Sequence, residues 1–143
     1  MAKEGEANIE LPKTHFDNLD FSFSGIKTAV INLNHKNPNI NKADLCASFE
    51  KVTTEMLIEN VKKAIDETKL KKVVLAGGVA ANTYIRKEFE KFSKQEEIKI
   101  YYPELKLCTD NAAMIAAAGY YEYISGNIAE LDLNAVPNLK LGG

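Results

Sequence analysis

The longest regular pattern in the chain runs from about residue 42 to residue 69. Apolar residues recur there at steps of three and four, which places them on one stripe of a helix and leaves a charged opposite face. Asn41 precedes the pattern and is a suitable N-cap, because its short side chain accepts hydrogen bonds from the free amides of a first turn. We therefore predict a long amphipathic helix that ends near Lys69.

Three shorter helices are also predicted. Residues 26–34 and 80–93 each carry apolar side chains on one face only. Residues 109–124 differ, since they are rich in alanine and apolar almost all round between Ala112 and Ala118. That composition is typical of a helix buried among other elements.

Short apolar runs between these helices predict strands. Residues 21–24 alternate apolar and polar side chains, as in a half-buried strand. Residues 73–76 are wholly apolar, which predicts a strand covered on both faces, and residues 98–102 form another strand that Pro103 ends. Strand and helix in alternation indicate the α/β class with parallel pairing.

The small number of strands bears on domain organisation. Two or three strands with several helices are fewer than most sheets have, so the chain is expected to be part of an α/β domain. We predict a single unit over residues 1–143, with a lead-in loop at 1–20, an α/β body at 21–126 and a tail at 127–143.

Composition and charge narrow the possible classes of protein. The chain has 18 basic and 20 acidic side chains and a formal charge of −2, so it lacks the positive excess of a freestanding nucleic-acid binder. Its two cysteines, Cys46 and Cys108, are too few for a disulfide scaffold, and Cys46 is expected to be a buried residue of the long helix. No apolar run approaches the roughly 20 residues of a membrane span, and residues 1–10 lack the apolar core of a secretion signal, so a cytoplasmic location without membrane association is expected.

The turn that follows the second predicted strand is the most informative motif. Gly77 and Gly78 end the strand, and a helix starts at once. Glycines there allow positive φ and close approach of a ligand, and the free amides of a helix start favour an anion such as phosphate. Asn82, in the first turn, could both donate and accept hydrogen bonds. The alternative is a tight strand-to-helix turn without a ligand, since two glycines are less specific than a full dinucleotide motif.

A second candidate lies at the start of the last helix. Thr109 or Asp110 is expected to cap that helix, which is a sufficient structural explanation for an acidic residue there. The functional alternative makes Asp110 a metal-binding carboxylate. His15 and His35 lack the spacing of metal ligands, and both are expected to be solvated loop residues.

Three segments have the order and spacing of motifs in one known family. They are residues 20–30 (DFSFSGIKTAV), 76–82 (AGGVAAN) and 108–116 (CTDNAAMIA). On these segments the chain resembles the TsaD family, the tRNA threonylcarbamoyladenosine transferases that were long labelled glycoproteases. The resemblance spans about residues 2–126.

The resemblance implies an actin/Hsp70-like ATPase fold, of which this chain would be a partial second lobe. It implies transfer of a threonylcarbamoyl group from its adenylate to the adenosine next to the anticodon of tRNA. Asn82 would contact ATP or threonylcarbamoyl-adenylate, with Gly77 and Gly78 allowing the close approach, and Asp110 would ligate the one iron or zinc ion of each full-length subunit. Implied partners are tRNA and TsaB-like and TsaE-like proteins.

The chain also departs from the family pattern. It has neither the H-x-x-x-H motif that supplies two further metal ligands nor the S-G-G-H-T segment of the first lobe. We therefore interpret it as a C-terminal fragment that is inactive alone, with no catalytic residue assigned and with no tightly bound metal or nucleotide. Uncovered strand edges and apolar surface would then favour self-association.

Two other functions are weighed against this interpretation. The first is a non-catalytic α/β module that binds partner proteins through uncovered helices. The second is the protease label, which the sequence does not support because it shows no nucleophile–base pair and no H-E-x-x-H helix.

Overall fold

The structure, a computed structural model, describes residues 1–137. It contains four α-helices and two short strands over that range. They are α1 (Ser24–Lys36), α2 (Lys42–Thr68), β1 (Lys72–Val74), α3 (Thr83–Gln95), β2 (Lys99–Tyr101) and α4 (Ala112–Ile124). Three 3-10 turns lie at Ala2–Glu4, Gly78–Ala81 and Leu105–Leu107.

The chain divides into two compact units, Met1–Cys108 and Thr109–Gly143. The first contains α1, α2, α3 and both strands, and the second contains α4. The predicted lead-in, body and tail stay a prediction, and residues 138–143 of that tail lie outside the described part of the chain. Among residues 1–137, none of the helices is both long enough and apolar enough to cross a membrane.

The parallel pairing predicted from the alternation of elements is confirmed. β1 pairs with β2 in parallel, with Val73 opposite Ile100, and α3 connects the two strands. The Leu75 amide donates to the Tyr101 carbonyl at 2.8 Å, which extends the pairing past the end of β1. A parallel pair needs a long connection of this kind, because a tight hairpin turn reverses the chain.

One face of the strand pair is covered and the other is exposed. Val73, Leu75 and Ile100 pack against a buried core cluster. That cluster includes Phe89 and Phe92, whose rings meet edge to face with their centroids 6.3 Å apart. On the opposite face the Val74 side chain is 69% exposed. The prediction of a strand covered on both faces is therefore wrong, because helices of this unit cover one face alone.

The first predicted strand is also wrong. Residues 21–24 form no strand, and Ser24 already begins α1, whose first helical bond joins the Lys27 amide to the Phe23 carbonyl at 3.0 Å. A strand of four residues needs a neighbouring strand to form hydrogen bonds with its backbone N–H and C=O groups, whereas a helix forms these bonds within itself. Because α1 extends to Lys36, His35 lies in a helix and not in the predicted loop, although its side chain is exposed as expected.

The long helix α2 agrees with its prediction. Asn41 is its N-cap, and its side-chain oxygen accepts hydrogen bonds from the Ala43 and Asp44 amides at 3.0 and 3.4 Å. Lys69 follows the last turn with a left-handed φ of 59°. Cys46 is half-buried, so its predicted burial on this helix is only partial.

The N-terminal segment packs on the start of α2. A Cβ added to Gly5 would lie 2.1 Å from the Ala43 carbonyl carbon, so only glycine fits this approach. The Ile9 amide donates to the buried Ser48 hydroxyl at 3.0 Å, and Leu11 lies in a second core cluster. Residues 1–20 thus form part of the packed unit, although they contain little regular secondary structure.

The last helix, α4, has no buried residue. Its exposed apolar side chains include Met114, Ile115, Tyr120, Tyr121, Tyr123 and Ile124. The prediction that it is buried is therefore wrong for this chain. Its composition shows that the helix is apolar all round, but residues 109–137 supply no second helix or strand that would cover it.

Candidate functional site

The glycine turn follows β1 as predicted, with one change at the helix start. Gly77 has a φ of +85°, which favours glycine strongly, and a 3-10 turn over Gly78–Ala81 comes before α3. The helix therefore starts at Thr83 and not at the predicted Ala80. A Cβ placed on Gly78 would meet nothing within 4 Å, and its φ is not positive, so the fold itself does not require glycine there.

Asn82 caps α3. Its side-chain oxygen accepts hydrogen bonds from the Tyr84 and Ile85 amides at 2.8 and 3.0 Å. Its Nδ2 donates to Glu50 Oε1 at 2.6 Å, across to α2. Because the helix starts later than predicted, its first-turn amides are those after Asn82, and the cap already occupies two of them.

A cavity of about 710 Å³ lies beside this turn, within the first unit. Asn82, Glu50, Thr53, Asn34, Lys27 and Lys42 supply its polar lining. Its apolar lining includes Val30, Ile31, Leu45, Phe49, Val79 and Ile85. This size and mixture of side chains are typical of a small-molecule site. The structure places Asn82 in the cavity wall. Gly77 and Gly78 precede the lining residue Val79 in the sequence but do not line the cavity themselves.

Arg86 connects the glycine turn to the end of the first unit. Its Nε donates to the Ala80 carbonyl at 2.5 Å, and its Nη2 donates to the Pro103 carbonyl at 2.9 Å and to Cys108 Sγ at 3.1 Å. The guanidinium also lies 4.4 Å from the centroid of the Tyr102 ring. One side chain thereby fixes the start of α3 against the segment that follows β2.

The surroundings of Tyr102 make its hydroxyl harder to ionise. The hydroxyl donates to Glu90 Oε1 at 2.6 Å, and this hydrogen bond, with some burial, raises the pKa of Tyr102 above its ordinary value of 10.0. The tyrosine therefore stays neutral while its ring lies against Arg86.

Neither Arg86 nor Glu50 was identified from the sequence. The sequence has one arginine, Arg86, and 17 lysines, so the composition alone could have drawn attention to Arg86. An arginine is suited to holding several carbonyls at once, because its donors form a rigid planar fork. Glu50 gave no signal, because carboxylates are common on the polar face of a helix.

Asp110 lies in the second unit, directly before α4. Its side chain is exposed, and α4 is capped by Asn111, whose Oδ1 accepts from the Met114 amide at 3.0 Å. The prediction that Thr109 or Asp110 caps this helix is therefore wrong by one or two positions.

The metal ion implied for Asp110 does not fit a complete site in the described part of the chain. Over residues 1–137 there is no group of three or more histidine, cysteine, aspartate or glutamate side chains that could hold one. His15 lies in a loop, exposed, with Nδ1 at 3.9 Å from a Glu59 carboxylate oxygen.

Comparison with known proteins gives a consistent result. Residues 1–117 match the family described as TsaD, tRNA N6-adenosine threonylcarbamoyltransferase. Proteins named tRNA N6-adenosine threonylcarbamoyltransferase from Clostridium novyi and from Clostridium perfringens strain SM101 are each 48% identical to the chain, over 150 and 149 residues. One from Clostridium botulinum strain Kyoto is 50% identical over 149 residues.

The matches include nearly all of this chain but less than half of each relative. They cover 99% of this chain but 44% of each of the three relatives. The chain thus spans less than half the length of the curated relatives it matches. With the family match over most of its residues, and with the glycine turn, Asn82 and Asp110 inside the matched range, the chain belongs to the TsaD family.

Proposed function

We propose that this chain supplies the nucleotide-binding side of a TsaD enzyme, which transfers a threonylcarbamoyl group from its adenylate to the adenosine next to the anticodon of tRNA. In this proposal the chain is a partial second lobe of an actin/Hsp70-like fold and acts in the cytoplasm. The observation that carries the proposal is the cavity with Asn82 in its wall, beside a strand, glycine turn and helix start, in a member of this family.

The chemistry of the cavity supports a nucleoside as its ligand. Val79, Ile85, Phe49 and their apolar neighbours offer surface for the faces of a base, while Asn82 and Thr53 offer hydrogen bonds at its edge. Lys27 also lines the cavity, and its positive charge would favour an adenylate over an uncharged analogue.

The glycines have a different part in this proposal. Gly77 and Gly78 are exposed and have no neighbours within 4 Å of a built Cβ, so the backbone there is open to a phosphate. Because the Asn82 side chain already caps two amides of α3, an anion would bind the glycine turn rather than the capped amides.

Activity requires more than this chain, in our proposal. Asp110 would be one ligand of the iron or zinc ion of the full-length enzyme, and the family's histidine pair is missing from this sequence, whose two histidines are His15 and His35. The isolated chain would then neither catalyse transfer nor bind ATP or the metal tightly. TsaB-like and TsaE-like proteins and tRNA would be partners of the complete enzyme.

The test joins this chain to the N-terminal part of the Clostridium novyi relative and measures threonylcarbamoyladenosine in tRNA by mass spectrometry of nucleosides. We expect activity from the joined protein, none from the 143-residue chain, and strong losses in Asn82→Ala and Asp110→Ala. Lys94→Ala, a change at an exposed position of α3, is the control. Full activity of both site variants would overturn the assignment of these two residues.

A second test addresses the cavity directly. Adenosine added to the ¹⁵N-labelled 143-residue chain should shift the amide resonances of Val79, Asn82 and Ile85 at millimolar concentration, and shift them less in Asn82→Ala. Shifts confined to residues far from the cavity would contradict the assignment.

One observation favours a second candidate function, a non-catalytic protein-interaction module. The exposed apolar side chains of α4 form a surface of the kind that proteins normally cover. If the joined protein is inactive while the chain captures a TsaB-like protein through α4, this second function is the correct one.

A further inference from the structure

The Asn82 side chain is held at both ends of its amide. At one end, Oδ1 accepts from the Tyr84 and Ile85 amides, and at the other, Nδ2 donates to Glu50 Oε1 at 2.6 Å. The bond to Glu50 joins a donor to a carboxylate, and such charge-assisted bonds are shorter and stronger than neutral ones. The cap fixes the oxygen end of the amide, and the bond to Glu50 holds the nitrogen end against α2.

Glu50 is itself firmly placed in α2. Its backbone carbonyl oxygen accepts hydrogen bonds from the hydroxyls of Thr53 and Thr54 at 3.1 and 2.7 Å. The Thr54 side chain is 1% exposed, so this turn of the helix is fixed in the interior. The Glu50 carboxylate therefore starts from a backbone position with little freedom.

Glu50 and Asn82 both line the large cavity. A carboxamide nitrogen has two hydrogens, and Glu50 takes one of them. Within the residues that the structure describes, no protein acceptor takes the second. The second hydrogen is thus the donor that remains for a ligand.

We propose that Glu50 is a positioning residue for Asn82, which fixes the amide so that its remaining hydrogen is offered to a ligand in the cavity. This inference rests on the proposed function, because that function makes Asn82 a ligand-contacting residue. The cap alone would hold the amide at its oxygen. With Glu50 the nitrogen is held as well, so the donor is in place before the ligand arrives.

The experiment uses the ¹⁵N-labelled 143-residue chain and three variants, Glu50→Ala, Glu50→Gln and Glu67→Ala. The Glu50→Gln change keeps an acceptor oxygen without the charge, and Glu67 is an exposed carboxylate of the same helix that does not line the cavity. The first readout, without ligand, is the exchange rate and chemical shift of the two Nδ2 hydrogens of Asn82. The second is the affinity for adenosine, from a titration of the same samples.

In Glu50→Ala we expect Nδ2 exchange to speed up at least about tenfold and adenosine to bind about tenfold more weakly, as for loss of one charge-assisted hydrogen bond. Glu50→Gln should stay within about threefold of the wild type in both readouts, because a neutral acceptor keeps the hydrogen bond and loses only its charge assistance, about half of its strength. Glu67→Ala should match the wild type. The α3 amide resonances report whether each variant is folded.

The proposal is overturned if the Asn82 hydrogens are unchanged in Glu50→Ala, or if they change while adenosine affinity does not. It is also overturned if Glu50→Gln is as impaired as Glu50→Ala. If adenosine shifts no resonance of the wild type, the cavity assignment in the proposed function is what fails, and the Nδ2 exchange still decides whether Glu50 fixes Asn82.

Discussion

Removal of the Arg86 side chain should destabilise the first unit strongly. In Arg86→Ala, the carbonyls of Ala80 and Pro103 lose their guanidinium donor, and Cys108 Sγ loses its contact at 3.1 Å. The Tyr102 ring also loses the cation 4.4 Å from its centroid. All four contacts disappear together, because one planar group makes them.

The size of the effect follows from these contacts. Two hydrogen bonds at about 1 kcal/mol each, with about 0.5–1 kcal/mol for the cation–π contact, give a loss of about 3 kcal/mol in the free energy of unfolding. That is a large part of the roughly 5–15 kcal/mol that typically stabilises a domain. With a denaturant slope of about 2 kcal/mol/M, the urea midpoint should fall by about 1.5 M. Arg86→Lys keeps the charge but not the fork, so we expect about half this loss.

The assay combines urea unfolding, followed by circular dichroism, with thiol labelling of Cys108. The Cys108 side chain is 4% exposed, so its reaction with a thiol reagent reports local opening of this segment. Labelling is measured in a Cys46→Ala background, so that one thiol remains. Reaction should be at least about tenfold faster in Arg86→Ala, as for a loss of more than about 1.4 kcal/mol.

Lys94→Ala is the matched control, because it removes an exposed positive charge from the same helix. The reasoning is refuted if Arg86→Ala and Lys94→Ala unfold at the same urea concentration. An unchanged labelling rate at Cys108 would show that Arg86 does not hold the segment after β2.

Three further predictions concern the turn, the N-terminal segment and α4. Gly77→Ala should cost about 1 kcal/mol or more of stability in urea unfolding, because of its φ of +85°, whereas Gly78→Ala should change stability by less than about 0.5 kcal/mol; equal effects would contradict this. The Glu59 carboxylate accepts a hydrogen bond from Lys13 and thereby raises the pKa of Lys13 above 10.5. The contribution of this interaction to folding stability is therefore fully present below pH 10.5 and is lost as the pH rises through the folded pKa. The stability difference between wild type and Lys13→Met should therefore be constant from about pH 6 to about pH 10 and shrink above it; a difference that grows above about pH 10 would show the opposite sign. Finally, sedimentation should show concentration-dependent self-association that Tyr121→Glu, in the exposed face of α4, reduces, and a wild type that stays monomeric at all concentrations would refute this.

Local patterns predicted local structure well in this chain. The helix α2, its cap Asn41 and the turn at Gly77 all follow from interactions between residues a few positions apart, which a sequence shows directly. Asn82 was singled out by its place near the turn, but as a residue of the first helical turn and not as the cap that the structure shows.

Contacts between distant residues could not be predicted. Glu50 and Asn82 are 32 positions apart, and Arg86 reaches Cys108 across 22, so nothing in either local pattern relates the partners. For α4 the sequence showed an apolar surface but not which element, if any, lies against it. The predicted strand at 21–24 failed for the same reason, because a strand depends on a neighbour that the pattern does not name.

The close packing of Gly5 on Ala43 brings the first residues of the chain to the cavity, where Met1 and Ala2 form part of the lining. Any peptide joined before Met1 therefore emerges at the rim of the candidate nucleotide site. An affinity tag at that end would alter ligand access, so binding studies should carry the tag after Gly143. In the joined protein proposed above, the linker would leave from the same rim, and its length and side chains would directly affect how a nucleotide enters.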